Sequence, residues 1–214
     1  MSSTSSDGPR GRPTARRSHG ERREEIVDAA LRIIAGRGIA ALTVATLAEE
    51  VGVTGGALYR HFPSTDAILE AVAERVSGLL DSSLPDETLP PLERLELFVQ
   101  ARSTAASGHP GVLRLMLSEQ VTLAMPERAV TRLRASVRKT WDAIERALSN
   151  GQAEGTVRDD LPAAALVPVV IGTVQVLARF RTAELLPKKS VAFGTWSVLG
   201  TLLAPPQPKR KGRR

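Results

Sequence analysis

Thr54, Tyr59, Arg60 and His61 bring hydroxyl, phenol, guanidinium and imidazole groups into one short stretch, VGVTGGALYRHF, from Val51 to Phe62. Such groups donate hydrogen bonds or positive charge to an anion, and the DNA phosphate is one such anion. His61 read alone also suits a general base, a role that needs a partner and a pocket. Asp159 and Asp160 are adjacent carboxylates, of the kind that hold a metal or divide acid–base work. They directly precede Leu161-Pro162, so Asp160 also reads as a helix N-cap. The three histidines, His19, His61 and His109, are far apart, and cysteine is absent. That excludes disulfides, thiolate zinc sites and cysteine nucleophiles, and it fits a reducing cytoplasm. No G-x-S-x-G or metal-ligand spacing occurs. No catalytic residue, metal or cofactor is therefore expected.

The elements that position these groups are helical. Gly52 breaks one short apolar-periodic segment and Thr54 can cap the next. Leu58 and Phe62, four apart, share one helical face. This is the pattern of a helix-turn-helix, and it implies a DNA-binding regulator. Upstream, Ile26, Ala29, Ala30, Ile33 and Ile34 form one stripe of a helix from Glu21 to Arg37. Thr43 caps a helix carrying Val44, Leu47, Ala48 and Val51; Thr46 at its third position is not the Glu or Gln of a capping box. The helix begun at Thr54 stops at Pro63, and Ser64 caps another running to about Ser83. Pro85 to Pro91 reads as a linker. Further helices are predicted over Leu92–Ser107, His109–Leu123, Pro126–Glu154, from Asp160 to about Leu185 through Pro168, and over Lys189–Ala204. Nine helices with no period-2 strand make an all-α protein.

Charge is uneven. Of the net +6, residues 10–23 carry +5 and residues 209–214 another +5, which leaves −4 for the remainder. Basic arms engage polyanions, or serve as solubilising ends. Within the first arm, PRGRP resembles the AT-hook core, which would set Arg10 and Arg12 in a narrow minor groove; such short matches also recur by chance. The first twenty residues hold no apolar segment of a signal peptide. The longest apolar run, Ala163 to Ala178, reaches roughly 24 Å against a ~30 Å hydrocarbon core. A buried helix is expected there, with no membrane partner.

From Ile26 to Leu69 the chain reads IVDAALRIIAGRGIAALTVATLAEEVGVTGGALYRHFPSTDAIL. A helix ending in Gly, then Thr, Leu-Ala, V-G-V-T and L-Y-x-H-F in this order resembles the tetracycline-repressor (TetR) family of one-component regulators. The match covers about a fifth of the chain. GQAEGTVRDDLP, Gly151 to Pro162, is similar to the loop before the eighth helix in many members.

The resemblance implies a nine-helix fold with the following plan: a basic arm over 1–20, a helix-turn-helix domain over 21–68 continuing into a connecting helix over 64–83, a regulatory and dimerisation domain over 84–204, and a basic tail over 205–214. It implies a cytoplasmic homodimer on palindromic double-stranded DNA, with repression relieved by a small molecule. Carried over by position, Thr43, Thr54, Tyr59 and His61 contact phosphates, while Gly55, Gly56, Ala57 and Arg60 face the major groove or its rim. Two departures stand out. Thr65 occupies a place where many members have a phosphate-pairing Lys. Gly55-Gly56-Ala57 offers no side-chain hydrogen bond to a base, so either small residues are simply tolerated there or the backbone approaches DNA closely. Specificity then falls to Arg60, Ala45, the arm and DNA shape.

By the same analogy the last two helices form the dimer interface, through Val170, Gly172, Val174, Leu177, Val191, Gly194, Trp196 and Leu199. A ligand pocket is expected among Phe98, Leu113, Met116, Leu117, Trp141, Ile144, Val174 and Phe180, residues that equally suit plain core. The scarcity of charge among them points to an apolar ligand. The alternative is an architectural or division-linked DNA binder of the same fold with no inducer; a helical enzyme is the more distant rival.

Overall fold

Ser18 opens the first helix with a reciprocal cap: its hydroxyl accepts from the Glu21 amide at 3.2 Å, and the Glu21 carboxylate accepts from the Ser18 amide at 2.7 Å. The S-x-x-E spacing makes this capping box legible in the sequence, and it moves the helix start two residues upstream of Glu21. The computed structural model describes residues 18–182 and 194–206. Among them the elements are α1 (His19–Arg37), a 3-10 turn (Ile39–Ala41), α2 (Val44–Val51), α3 (Gly55–Tyr59), α4 (Thr65–Asp81), α5 (Pro91–Gly108), α6 (Pro110–Met116), α7 (Val121–Ala124), α8 (Glu127–Ala153), α9 (Ala163–Thr182) and α10 (Thr195–Leu203). The all-α class holds. The helix expected over His109–Leu123 is two helices, because Leu117 leaves helical geometry and the Ser118 hydroxyl turns back to the Gln120 amide at 3.3 Å. Serine competes for backbone groups in this way outside helices. Arg10, Arg12, Val191 and most of the basic tail lie outside the described residues.

Two apolar cores result. The first joins α1, α2, α3 and α4 to Leu115 of α6, Met125 and the start of α8. The second joins α5, α9 and α10 to Val157 and the end of α8. α8 buries Ala129, Leu133, Ser136, Thr140, Ile144, Ala147 and Gly151 along one seam, at steps of three and four that keep them on one face. Its first half serves one core and its second half the other. The Asp160 side chain does not cap α9 as expected. Its carboxylate is held by Arg158 at 2.7 Å through two parallel bonds, which keep it below the usual carboxylate range. Arg158 also donates its amide to the Leu203 carbonyl at 2.7 Å, so the Gly151–Pro162 loop ties down the end of α10.

The span argument for α9 also needs correcting. The helix is twenty residues long, about 30 Å, and by length and composition it could cross a membrane. It is instead a wall of the second core, with Leu166, Val167, Val170, Ile171 and Val174 buried.

At Gly111, α6 comes directly against the backbone of α1. A Cβ on Gly111 would lie 2.2 Å from the Leu31 carbonyl oxygen, so only glycine fits. Arg114, one turn on, donates to the carbonyls of Ala35 at 2.7 Å and Gly36 at 2.9 Å. It thereby satisfies the open end of α1. Gly111→Ala should cost about 1–3 kcal/mol through overpacking against backbone that cannot yield. Gly36→Ala, where a Cβ meets nothing within 4 Å, should gain up to about 1 kcal/mol. Denaturant midpoints of the two variants check the contrast.

Candidate nucleic-acid interface and internal cavity

Thr43 and Thr46 cap α2 together. The Thr46 amide donates to the Thr43 hydroxyl at 3.1 Å, and the Thr43 amide donates to the Thr46 hydroxyl at 3.0 Å. Thr46 thus fills the role expected only of Glu or Gln. Gly52 ends α2 in the left-handed region, at φ 71°, where glycine carries no Cβ penalty. Thr54 then caps α3, accepting from the Ala57 amide at 3.2 Å. Leu58 and Phe62 are fully buried in the first core and fix the roll of α3. Thr43, Ala45, Thr54, Gly56, Tyr59 and Arg60 are left exposed, and Gly55, Ala57, His61 and Thr65 half-buried. The side chains singled out on α2, the turn and α3 therefore face outward, while the apolar anchors face inward.

The two glycines differ. A Cβ on Gly55 would sit 3.3 Å from Val44 Cγ1, so this position is set by the approach of α3 to α2. A Cβ on Gly56 would meet nothing within 4 Å.

His61 lies in a cationic setting that sequence reading missed. Its ring centroid is 4.6 Å from that of His19. Arg23 stacks over Phe62 at 4.0 Å and donates to the His61 carbonyl, bracing α1 on α3. Removal from water, then the charges of His19, Arg22, Arg60 and Arg23, hold His61 below its ordinary value of 6.5. Its Nδ1 is buried without a hydrogen-bond partner. Of these neighbours, Arg22 pairs with Glu25 at 2.7 Å. The signal was the spacing of His19, Arg22 and Arg23, three and four apart on one face. Among the described residues no carboxylate or hydroxyl partners the His61 ring in the way a general base requires.

A cavity of about 90 Å³ lies at the seam of the two cores. Its walls come from α4 (Leu79, Leu80), α5 (Arg102), α6 (Val112, Leu113, Met116), α8 (Val137, Thr140, Trp141) and α9 (Ile171, Val174, Gln175, Ala178), with His109 at the α5–α6 junction. Of the expected lining residues, Leu113, Met116, Trp141 and Val174 are in place. Phe98 and Ile144 are buried in the second core instead, and Leu117 and Phe180, 39% and 40% exposed, are not part of the wall. The expectation of a wall without charge is overturned by Arg102. It occupies the place after Leu95, Phe98 and Val99 in the buried stripe of α5, and that i, i+3, i+4, i+7 spacing was readable.

On the expected dimer face, Val170, Val174 and Leu199 are buried within the subunit, so they cannot meet a second copy directly. Helical rotation puts the outward stripe elsewhere: Val169, Val176 and Phe180 on α9, with Val198 and Leu202 on α10. Gly172, Leu177 and Trp196 are half-buried and Gly194 is exposed.

A model of bacterial regulatory proteins of the tetR family matches residues 26–72. The chain is 32% identical over 142 residues to the nucleoid occlusion factor SlmA of Vibrio vulnificus, across 64% of this chain and 70% of that protein. It is 32% identical over 148 residues to the HTH-type transcriptional repressor KstR2 of Mycobacterium tuberculosis, across 65% and 71%. Among solved structures, the ketosteroid transcriptional regulator KstR2 of Mycobacterium tuberculosis superposes with a TM-score of 0.73 at 24% identity, covering 86% of this chain and 95% of that one. AibR in complex with isovaleryl coenzyme A and operator DNA gives 0.72 at 18% identity, covering 86% and 99%. At these identities the structural likeness is one of fold.

The lowered His61 value carries a sign. As pH falls, the unfolded chain takes up the proton first, so the contribution present above 6.5 is lost as pH drops from there through the lower folded-state value. Denaturant midpoints measured from about pH 7.5 to about pH 5.5 should fall in the wild type and flatten in His61→Gln. Parallel curves for the two proteins would remove His61 from the linkage.

Proposed function

The chain belongs to the tetR family of bacterial regulatory proteins, and from this premise we propose that it is a homodimeric repressor released from a palindromic operator by a small molecule. The observation that carries the reading is the placement of the cavity. Two of its walls, α4 and α6, also pack in the first core with the helix-turn-helix. α4 runs from Leu79 and Leu80 at the cavity back to Thr65, just after the recognition helix. α6 runs from Val112 and Met116 at the cavity to the Gly111–Leu31 contact and the Arg114 cap on α1. A ligand that prefers a wider seam displaces both together, and the two recognition helices then lose the ~34–36 Å half-site spacing. A 20-fold loss of affinity needs only about 1.8 kcal/mol of such preference.

On this reading Thr43, Thr54, Tyr59 and His61 hold phosphates, Arg60, Ala45 and Ala57 reach base edges, and Gly56 lets the backbone approach. Thr65 adds a hydrogen bond without charge. Arg10 and Arg12 extend the contact along the minor groove. The exposed stripe of α9 and α10 is the surface a second copy covers, forming a four-helix bundle about a two-fold axis. The protein then works in the cytoplasm, with its DNA.

The reading is tested by genome-wide footprinting, followed by binding measurements on the sites recovered. Tyr59→Ala should weaken binding on all sequences without altering the consensus, since phosphate contacts carry no base information. A changed consensus would contradict that role. Leu202→Glu, at a side chain 53% exposed, should leave a folded monomer in light scattering and abolish operator binding at dimer-forming concentrations. A dimer that survives it places the interface elsewhere.

The likeness to SlmA, a nucleoid occlusion factor, favours a second reading, an architectural binder without an inducer. Many dispersed genomic sites, with no small molecule that releases the protein from them, would support it over the first.

A further inference from the structure

Arg102 sits in the cavity wall without an acid. Its Nη2 donates to the Thr140 hydroxyl at 3.0 Å and the Leu80 carbonyl at 3.3 Å. Its Nε is buried and has no hydrogen-bond partner. Among the described residues no carboxylate lies within ion-pair distance of the guanidinium. The acid that acts on it most, Asp81, gives one oxygen to Lys139 at 2.9 Å.

The surroundings hold this charge in place. Its plane lies over the Phe98 ring at 5.3 Å. The Thr140 hydroxyl spends its proton on the Ser136 carbonyl at 3.0 Å, which leaves an oxygen lone pair turned to Arg102. Burial brings the guanidinium down to about 10, with Asp81 opposing, so it is still charged at neutral pH. A largely buried charge with an unmade hydrogen bond costs stability, and a helical core would be better served by an apolar side chain. The remaining wall is apolar on α4, α6 and α9, save Gln175.

We propose that the cavity takes an amphipathic organic anion, with a carboxylate on Arg102 and a hydrocarbon body against Met116, Trp141 and Val174. This rests on the reading of the cavity as an effector site, and it names the ligand's chemical class. The Arg102 guanidinium is part of the cavity wall, and a carboxylate is the acceptor that matches its fork. Thr140 is a positioning residue: it orients Arg102 and leaves its other donors to the ligand. Arg102 shares the cavity with Met116 and Val112, so an anion drawn to it would bring its hydrocarbon to the helix that clamps α1.

The test uses the full-length protein and three matched pairs of probes: hexanoate, octanoate and decanoate beside the alcohols of the same chain lengths. Thermal shift and calorimetry read binding, and fluorescence anisotropy on a recovered operator reads release. Carboxylates should bind at least about tenfold more tightly than their alcohols, the worth of a charge-assisted contact. Arg102→Met should erase that preference, so that acid and alcohol of one chain length bind alike. Thr140→Val should reduce it in part. Equal binding of acid and alcohol to the wild type, or no binding by the acids, overturns the proposal without need of any variant. A preference that persists in Arg102→Met overturns the role of Arg102. Alcohols that release operator as well as the acids do would retain the ligand-released repressor and reject the anion. Loss of operator binding in the wild type itself would instead strike the regulator reading.

Discussion

The contact of α6 with α1 is the constraint on which the rest of the molecule depends. It is backbone against backbone at Gly111 and Leu31, so it has no side chain that can flex to absorb a small displacement. Arg114 locks it by taking up the last carbonyls of α1. The same short helix gives Leu115 to the first core and Val112, Leu113 and Met116 to the cavity. One element therefore packs on α1, contributes to the first core and lines the cavity. Packed interfaces of this kind move between discrete arrangements rather than deform smoothly.

Arginine serves as the brace of the DNA-binding unit. Arg32 ties α1 to Glu50 of α2 at 2.8 Å, and Arg75 of α4 reaches Glu24 and Asp28 of α1. Arg23 closes the set on α3 through Phe62 and the His61 carbonyl. These side chains do structural work, and Arg60 is the arginine of α3's end left facing outward. The sparse recognition helix has two separate causes. A Cβ at Gly55 would press on Val44, whereas Gly56 faces open space. Only the second is free to reflect what binds outside.

The cavity follows from the way α8 is shared. One helix long enough to line both cores leaves a seam where neither packs fully, and α4, α5, α6 and α9 converge there. Polar groups in such a seam are costly unless paired, which makes Arg102 the most informative side chain of the C-terminal half. The same rotation of α9 that sends Val170 and Val174 inward sends Val169, Val176 and Phe180 outward, so a single helix lines the pocket on one face and offers an apolar stripe on the other.

The sequence by itself determined the helical class, the caps at Thr43, Thr54 and Ser64, the break at Gly52 and the inward anchors Leu58 and Phe62. These are local: each depends on a hydrogen bond or a face spaced within one or two helical turns. It also contained signals that were overlooked, the Ser18–Glu21 box and Arg102 in an apolar stripe. Tertiary structure alone decided the rest. Whether Asp160 caps a helix or pairs with Arg158, whether Val170 faces its own core or another subunit, and which aromatic residues reach the cavity all depend on the rotation of whole helices. That rotation is set by packing between residues distant in the chain, such as Gly111 on Leu31. A pattern of apolar residues shows that a helix has a buried face, but where two faces are apolar it cannot show which neighbour covers each.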